Sequence, residues 1–389
     1  MPYVLSRVFR PTFLEVFNIT NLELGSLFSI YGFVAFFSYV YGGILADKIS
    51  TRVLLSISLI LTSLGGFVIM TYPSYLIMQF TYAYWGFTTV FIFWAPMIKA
   101  TKILGGLKKQ GKTFSFLDGG RGVVASSIAI LGVIIFSLLI TDDISKSTTE
   151  IKQNAFKYVI GISSFIVFLN GLIVYFFLKV KISDNEKIGN FSNIKNILKS
   201  KSIYLISIII LCSYMGYKIT DIYSLYAKDV MMYDEINASR VGAFQLYLRP
   251  IVCLIIALFT DRIGNINNIS IGFVIMLIGS ILFSSGIINS SLNTLFIFSL
   301  IIVAIGTYAT RALYFSIIKD TNIKAGLSGT AIGIVSMIGF TPDMFATPFY
   351  GYLLDTFPGV KGHQFIYIIL GVFSIIGLYT TIKFKKITR

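Results

Sequence analysis

The sequence predicts an all-α membrane protein of two six-helix bundles, with twelve transmembrane helices of which the first is present only in part. The mean hydropathy is +0.82, and only 13% of the residues are charged. Apolar stretches of about 20 residues, each long enough to cross a bilayer as a helix, recur along the whole chain. The pattern lacks the alternating segments of about ten residues that form membrane barrels, so helices are the expected spanning elements.

The apolar stretches predict eleven complete spans and one polar interruption. A fragment at residues 2–17 is apolar apart from Arg7, Arg10 and Glu15, and we interpret it as the outer half of a first helix that begins upstream of Met1. The predicted organisation is an N-terminal half (1–180), a cytoplasmic linker (181–201) and a C-terminal half (202–389). The predicted spans lie near residues 24–46, 52–72, 74–98, 113–140, 156–179, 202–228, 239–260, 267–288, 294–318, 327–355 and 362–383.

The net charge of +15 is distributed between alternate loops. Roughly 20 Lys and Arg residues fall in one set of loops and tails and about six in the other, a bias typical of cytoplasmic loops. The bias places the C-terminus and the linker in the cytoplasm of a bacterial inner membrane. It also accounts for the basic composition without a nucleic-acid partner.

A short motif occurs once in each half, at the predicted cytoplasmic end of the second span. Residues 42–48 read GGILADK and residues 257–262 read ALFTDR, so each copy has a small residue, three spacers, an aspartate and a base. A small residue lets helices approach closely, and the aspartate can face a helix N-terminus. A repeat of this kind is expected of a duplicated transporter fold.

These residues resemble the major facilitator superfamily, whose loop signature is roughly G-x-L-x-D-R-x-G-R-R/K. Gly43, Leu45, Asp47, Lys48 and Arg52 match it, whereas residues 50 and 51 depart from it. The resemblance implies that Asp47 helps to latch the two halves on the cytoplasmic side. The complete set of gating or coupling candidates is Asp47, Lys48, Arg52, Asp261, Arg262, Asp118, Arg121, Asp221 and Asp343.

Three further stretches indicate a subgroup within this superfamily. YVLSRVFRPTF, FLDGGRG and GIVSMIGFTPDMFATPFYGYLLD are similar to bacterial sugar-phosphate and organic-anion facilitators. In organophosphate:phosphate antiporters an arginine of the first helix binds the phosphate, and by this resemblance Arg7 falls near that place. The signatures of drug:proton antiporters and of nitrate transporters are missing.

Charges inside the predicted spans indicate the substrate, because an intramembrane charge normally faces a cavity or a partner. Arg7 lies about 15 Å from the end of its helix, near mid-membrane, and Arg249 is near the middle of its span. Neither has an acid close in sequence, so we expect both to bind an anionic group of the substrate, from opposite halves. The substrate-binding candidates are Arg7, Arg249, Lys218, Arg311, Tyr217 and Tyr247.

Structural roles compete with these assignments. Lys218–Asp221 and Asp118–Arg121 have the i,i+3 spacing of ion pairs within one helix, and Arg311 is a candidate partner of Asp343. Arg10 is the weaker candidate of the first helix, because it could snorkel outward. Aromatic residues such as Tyr217, Tyr247 and Trp94 either line the cavity or face lipid. His363 is expected in an external loop.

Six interior cations against three aspartates favour an anionic solute, since arginine holds carboxylate, phosphate or sulfonate groups bidentately. The favoured function is a secondary transporter, a symporter or antiporter of a small organic anion that works by alternating access. The alternatives are a transporter-like solute sensor and a facilitator for a neutral or zwitterionic solute such as an amino acid or sugar. No enzyme activity, cofactor or metal is expected. The expected partners are the solute, the lipid bilayer and a coupling proton or counter-transported anion, with the protein a monomer.

Overall fold

The computed structural model describes residues 2–105, 110–140, 147–178, 200–321 and 328–388. Sixteen α-helices lie in these ranges. They are α1 Leu5–Val8, α2 Arg10–Phe17, α3 Asn21–Lys48, α4 Thr51–Ile69, α5 Tyr75–Gly86, α6 Trp94–Gly105, α7 Gln110–Leu139, α8 Thr149–Phe177, α9 Lys201–Ile219, α10 Tyr223–Asp229, α11 Glu235–Ile263, α12 Asn265–Ser284, α13 Asn293–Leu313, α14 Ser328–Gly339, α15 Pro342–Thr356 and α16 Val360–Thr388.

Eleven spans in the described residues are long and apolar enough to cross a membrane, as the sequence predicted. Two of them are interrupted helices: α5 and α6 are joined through a π-helical segment at Phe87–Phe91, and α14 is followed directly by α15. Residues 2–17 form the short helices α1 and α2 in place of one continuous helix. Most of the predicted linker lies outside the described residues, which resume at 200. We call the side where α8 ends and α9 begins the linker side, and the other the opposite side.

Proline explains two of the helix breaks. Pro11 follows Arg10 at the start of α2, and Pro342 begins α15. A proline lacks the N–H that would bond to the preceding turn and disfavours helical geometry in the residue before it, so each helix restarts at this point. The restart in the first segment gives Phe9 a non-helical ψ of 36°. A third break, between α9 and α10, has no proline.

Each half contains its own apolar core. In the N-terminal half Phe9, Phe136 and Phe156 pack together in a fully buried cluster. In the C-terminal half Phe283 stacks on Tyr367 with ring centroids 4.2 Å apart. The first-half core also receives residues of α11, so it reaches across the boundary between the halves.

Glycines allow the two halves to meet closely along α3 and α15. A Cβ added to Gly351 would lie 2.3 Å from the carbonyl oxygen of Asn21, and one added to Gly25 would lie 2.5 Å from that of Thr347. Backbone atoms this close exclude any side chain at either position. The contact is tightest at the opposite side, where Asp355 accepts hydrogen bonds from the backbone N–H of Leu22 at 2.7 Å and of Asn21 at 3.2 Å. This carboxylate also compensates the positive N-terminal end of α3.

The expectation that His363 lies in a loop is wrong. The residue belongs to the first turn of α16 and is fully buried. Its Nε2 lies 3.4 Å from Asp229, and its ring packs edge-on against Tyr226. The predicted span 362–383 already included this position, which was assigned to a loop because it stands at the very start of the span.

Candidate solute-binding site

Three arginines converge on the single carboxylate of Asp118, where the two halves meet. Arg249 of α11 forms a two-pronged pair with it, with Nε at 3.1 Å from Oδ2 and Nη2 bonded to Oδ1. Arg311 of α13 approaches Oδ1 to 3.7 Å, and Arg121 of α7 to 3.9 Å. Asp118 belongs to α7 in the N-terminal half, so the pair with Arg249 joins the two halves. We call this group the Asp118 cluster.

A second cluster is built on two acids, Asp221 in the break after α9 and Asp343 of α15. Asp221 follows α9 and pairs with Arg7 Nε at 2.5 Å and with Lys218 Nζ at 2.7 Å. Lys218 also lies 3.3 Å from Asp343, which accepts a hydrogen bond from Tyr214 at 2.9 Å. The predicted i,i+3 pair of Lys218 and Asp221 is therefore present, inside a larger network.

Tyr217 joins the two clusters. Its hydroxyl accepts a hydrogen bond from Arg7 Nη1. The guanidinium carbon of Arg311 lies 3.7 Å from the centre of its ring, within the range of a cation–π contact. Tyr217 thus has one cationic group at its hydroxyl and another on its face, and its role in substrate binding stays a prediction.

The two clusters differ in their ratio of acidic to cationic side chains. Arg7 and Lys218 face the two carboxylates of the second cluster, whereas the Asp118 cluster holds three guanidinium groups around one carboxylate. Arg10 is 1% exposed and donates to Asn21 Oδ1 at 3.0 Å and to the carbonyl of Asp221 at 3.4 Å. The outward snorkelling considered for Arg10 is therefore wrong, because the break after α9 supplies a buried acceptor.

A small cavity opens beside the Asp118 cluster, toward the linker side. Its volume is about 20 Å³, room for roughly one water molecule. Trp94, Asp118, Arg121 and Arg311 line it together with apolar side chains. The guanidinium carbon of Arg121 lies 5.4 Å from the centre of a Trp94 ring. Three buried donor atoms of this wall, Trp94 Nε1 and the Nε and Nη1 of Arg311, have no hydrogen-bond partner among the described residues.

Two pairings expected from the sequence differ in the structure. Arg311 faces Asp118 rather than Asp343, because Asp343 is already engaged by Lys218 and Tyr214. Within the pair of Asp118 and Arg121 the closest atoms are 3.9 Å apart, since Arg249 holds the carboxylate from the other half. Spacing along one helix therefore identified the charges but not their main partners.

Tyr247 does not reach either cluster. Its side chain is 38% exposed on the outer face of α11. Two residues along a helix correspond to a rotation of about 200°, so Tyr247 points away from Arg249. Its assignment to the substrate site is wrong for this reason.

The gating candidates of the repeated motif lie at the linker side. Arg52 and Arg262 are exposed, and the guanidinium carbon of Arg52 lies 5.4 Å from the centre of the Tyr175 ring. The side chains of Asp47, Lys48 and Asp261 lie outside the part of the chain that the structure describes. The latch role of this motif stays a prediction.

A further pair near the centre was not anticipated from the sequence. Tyr308 of α13 donates a hydrogen bond to Gln245 Oε1 of α11 at 2.7 Å, and both side chains are fully buried. The signal was available, because Gln245 precedes Arg249 by one turn and Tyr308 precedes Arg311 by three residues. Neither residue is charged, so neither stood out beside the arginines of the same two spans.

An ion cluster closes the opposite side between the halves. Lys152 of α8 lies 2.8 Å from Glu15 of α2 and 3.0 Å from Glu235 of α11, and Glu235 also pairs with Lys228 at 2.9 Å. Lys152 is 6% exposed. The cluster ties the ends of four helices, two from each half.

We expect Lys152→Met to weaken this closure and lower the thermal stability of the protein. Glu15 loses its cation, and Glu235 keeps only Lys228, so the loss should be about 1–3 kcal/mol. Thermal unfolding of the purified variant is the measurement. Lys157→Met, at an exposed position of the same helix, is the matched control. Equal melting temperatures for the two variants would contradict a closing role for the cluster.

The fold and the central charged clusters define a class of helical membrane proteins that carry solutes between two bundles. The sequence profile of the Major Facilitator Superfamily matches residues 3–340, and the chain belongs to this superfamily. Membership indicates a transporter rather than an enzyme.

The chain is similar over nearly its whole length to two proteins of Escherichia coli (strain K12). It is 24% identical to Inner membrane protein YqcE, across 98% of this chain and 91% of the relative. It is 25% identical to Inner membrane protein YihN, across 96% of this chain and 88% of the relative. Together with the eleven spans, these relatives support a multi-pass protein of the bacterial inner membrane.

Two solved structures share the fold. A bacterial homologue of the human lysosomal transporter Spinster superposes with a TM-score of 0.66 at 12% identity, covering 99% of this chain and 95% of the other. The nucleoside transporter NupG superposes with a TM-score of 0.62 at 14% identity, covering 99% and 97%. The predicted fold class is confirmed.

Proposed function

We propose that the protein is a secondary transporter of a small organic anion, which it moves by alternating access between residues 1–180 and residues 202–389. The anionic group binds at the Asp118 cluster, between Arg249 and Arg311. The orientation we propose has the linker side in the cytoplasm, in keeping with the charge bias of the loops.

One observation carries the proposal: three guanidinium groups share a single carboxylate where the two halves meet. Arg311 has a side chain only 4% exposed, and its Nε and Nη1 lack hydrogen-bond acceptors within the described ranges of the chain. An unpaired buried donor costs about 1–3 kcal/mol, more for a charged group. An oxyanion of the solute would supply both the missing charge and the missing acceptors.

Arg7 enters the proposal in a different role from the one expected. Its guanidinium is bound to Asp221 and Tyr217 in this conformation. Arg7 therefore lies behind Tyr217 as seen from Arg311, and reaches the solute only if Asp221 releases it. The arginine available at once from the C-terminal half is Arg311, in addition to Arg249.

We expect Arg311→Lys and Arg249→Lys each to impair binding of an organic anion. Lysine keeps the charge but loses the planar fork that matches an oxyanion. The loss of one charged hydrogen bond, about 1.5–3 kcal/mol, corresponds to roughly 10- to 150-fold in affinity. Binding to purified full-length protein, measured with a panel of small carboxylates, phosphates and sulfonates, is the readout, followed by uptake into vesicles.

Arg262→Lys, at an exposed position on α11, is the control for these variants. If the wild-type protein binds anions and both central variants bind them with unchanged affinity, the Asp118 cluster is not the anion site. Binding without uptake in sealed vesicles would instead favour the solute-sensor alternative.

A neutral or zwitterionic solute is the second candidate, and the pairing of Arg7 with Asp221 favours it. A cation already neutralised by an acid contributes no net charge for an anion. An amino acid could place its carboxylate at Arg311 and its ammonium group at Asp118. The same panel decides between the candidates when neutral sugars and amino acids are included.

A further inference from the structure

We infer that Gln245 and Tyr308 form a second subsite, which binds a hydroxyl or carbonyl oxygen of the solute about one helical turn from its anionic group. The inference rests on the proposed function and adds to it a substrate class: small organic anions that carry an uncharged oxygen substituent. We call the two residues the neutral subsite.

The positions of the two side chains follow from the helices that carry them. Gln245 lies four residues before Arg249 on α11, and Tyr308 lies three residues before Arg311 on α13. The two helices run in the same direction, so both steps lead toward the opposite side of the membrane. One turn rises about 5.4 Å. The neutral subsite therefore forms a layer next to the Asp118 cluster, separated from it by the length of a short carbon chain.

This face of α11 is directed at the other half of the protein. A Cβ added to Gly242, one turn before Gln245, would lie 2.8 Å from the backbone of Val8. Leu246 packs in the core of the N-terminal half. Gln245 thus lies on the stripe of α11 that runs from the first helix to Arg249, between the halves, where a transporter of this kind binds its solute.

One hydrogen-bond donor of this pair, the amide of Gln245, has no acceptor among the described residues. Tyr308 donates to Gln245 Oε1, but Gln245 Nε2 has no acceptor in the residues that the structure covers, although the side chain is 0% exposed. A methionine of similar length would fill this space without an unpaired amide. An unpaired amide donor, one layer from unpaired guanidinium donors, is matched by a solute rich in oxygen acceptors.

A purely structural role is the competing interpretation, since the bond between Tyr308 and Gln245 also ties α11 to α13. The two roles differ in what they do to selectivity. A structural tie affects all solutes alike, whereas a subsite for an oxygen atom discriminates between two anions that differ only in that atom. Sites built to bind a hydroxyl group strongly reject an analogue that lacks it.

The experiment compares matched anion pairs on purified full-length protein in lipid nanodiscs. The pairs are 2-hydroxyethyl phosphate with ethyl phosphate, lactate with propanoate, and 2-hydroxyethanesulfonate with ethanesulfonate. We expect the wild-type protein to prefer the hydroxylated member by about tenfold or more for the headgroup that binds best, equivalent to about 1.4 kcal/mol. Gln245→Met should reduce this preference to less than about threefold while the unsubstituted anion keeps its affinity.

Tyr308→Phe is the second variant. It keeps the ring and removes the hydroxyl that orients the amide, so the preference should fall there too, even if Gln245→Met folds poorly. If the wild-type protein binds both members of every pair equally, or if the variants weaken both members equally, the neutral subsite is wrong and the anion site stands. If no anion of any pair binds the wild-type protein, the proposed function itself fails.

Discussion

Replacing Asp221 by asparagine is expected to destabilise the protein more than any other single substitution considered for these clusters. The carboxylate is 1% exposed and lies within 2.7 Å of both Arg7 Nε and Lys218 Nζ. Its loss leaves two buried cations with Asp343 as the remaining carboxylate, which only Lys218 contacts directly. Breaking a buried pair from one side costs about 3–5 kcal/mol. Thermal unfolding and the yield of folded protein in detergent are the measurements.

Asp229→Asn is the control, because Asp229 ends α10, the helix that follows Asp221, but its side chain is 31% exposed and contacts His363 alone among the ion pairs described. The double variant Arg7→Met with Asp221→Asn sharpens the test. Removing both partners of a buried pair is often nearly neutral, so the double variant should recover much of the stability that Asp221→Asn loses. A double variant no more stable than Asp221→Asn would contradict the pairing.

The double variant also tests the role of Arg7. If it folds and still binds anions with normal affinity, Arg7 is a structural partner of Asp221. If it folds and anion binding is lost, Arg7 contacts the solute after Asp221 releases it. Stability and binding therefore answer separate questions about the same residue.

The sequence was sufficient for the membrane class, the span count and the charges of the site, because each depends on local composition. A run of 20 apolar residues costs too much in water and a buried charge costs too much in lipid, so both stand out without a structure. Lys218 and Asp221 could be paired in advance because three residues on a helix bring two side chains together. The repeated motif with Asp47 and Asp261 likewise indicated the duplication.

The partners across the halves could not be predicted in this way. Asp118 and Arg249 are far apart in the chain, and which acid meets which arginine depends on how α7 packs against α11. That packing is set by small residues: a Cβ on Gly122 would lie 2.7 Å from the ring of Pro250. The breaks in the first helix and after α9 were also missed, although they direct Arg10 and Asp221 toward each other. Hydropathy is averaged over a window longer than these breaks, so it does not reveal them.

Replacing Asp118 by asparagine is expected to have the second large effect, on binding rather than on folding alone. Asp118 is the only acid within 4 Å of Arg249, Arg311 or Arg121 among the described ion pairs. In the proposed mechanism this carboxylate holds the arginines while the site is empty and competes with the solute for them. Neutralising it removes the competitor but leaves three guanidinium groups without a counter-charge.

Loss of this carboxylate should change both the thermal stability of the protein and its affinity for the anion. Without solute, Asp118→Asn should unfold at a lower temperature than the wild-type protein, since an uncompensated buried charge is costly. The affinity of Asp118→Asn for an anion from the panel should be roughly tenfold or more above that of the wild-type protein, because binding no longer has to displace an internal carboxylate. One such charged contact corresponds to about 1.5–3 kcal/mol. The thermal shift produced by the anion should therefore be larger in the variant. Glu150→Gln, an exposed acid in the first turn of α8, serves as the control.

Weaker anion binding in Asp118→Asn would mean that the carboxylate contacts the solute directly. The ammonium group of a zwitterion would then be its partner, and the anion proposal would give way to the amino-acid alternative.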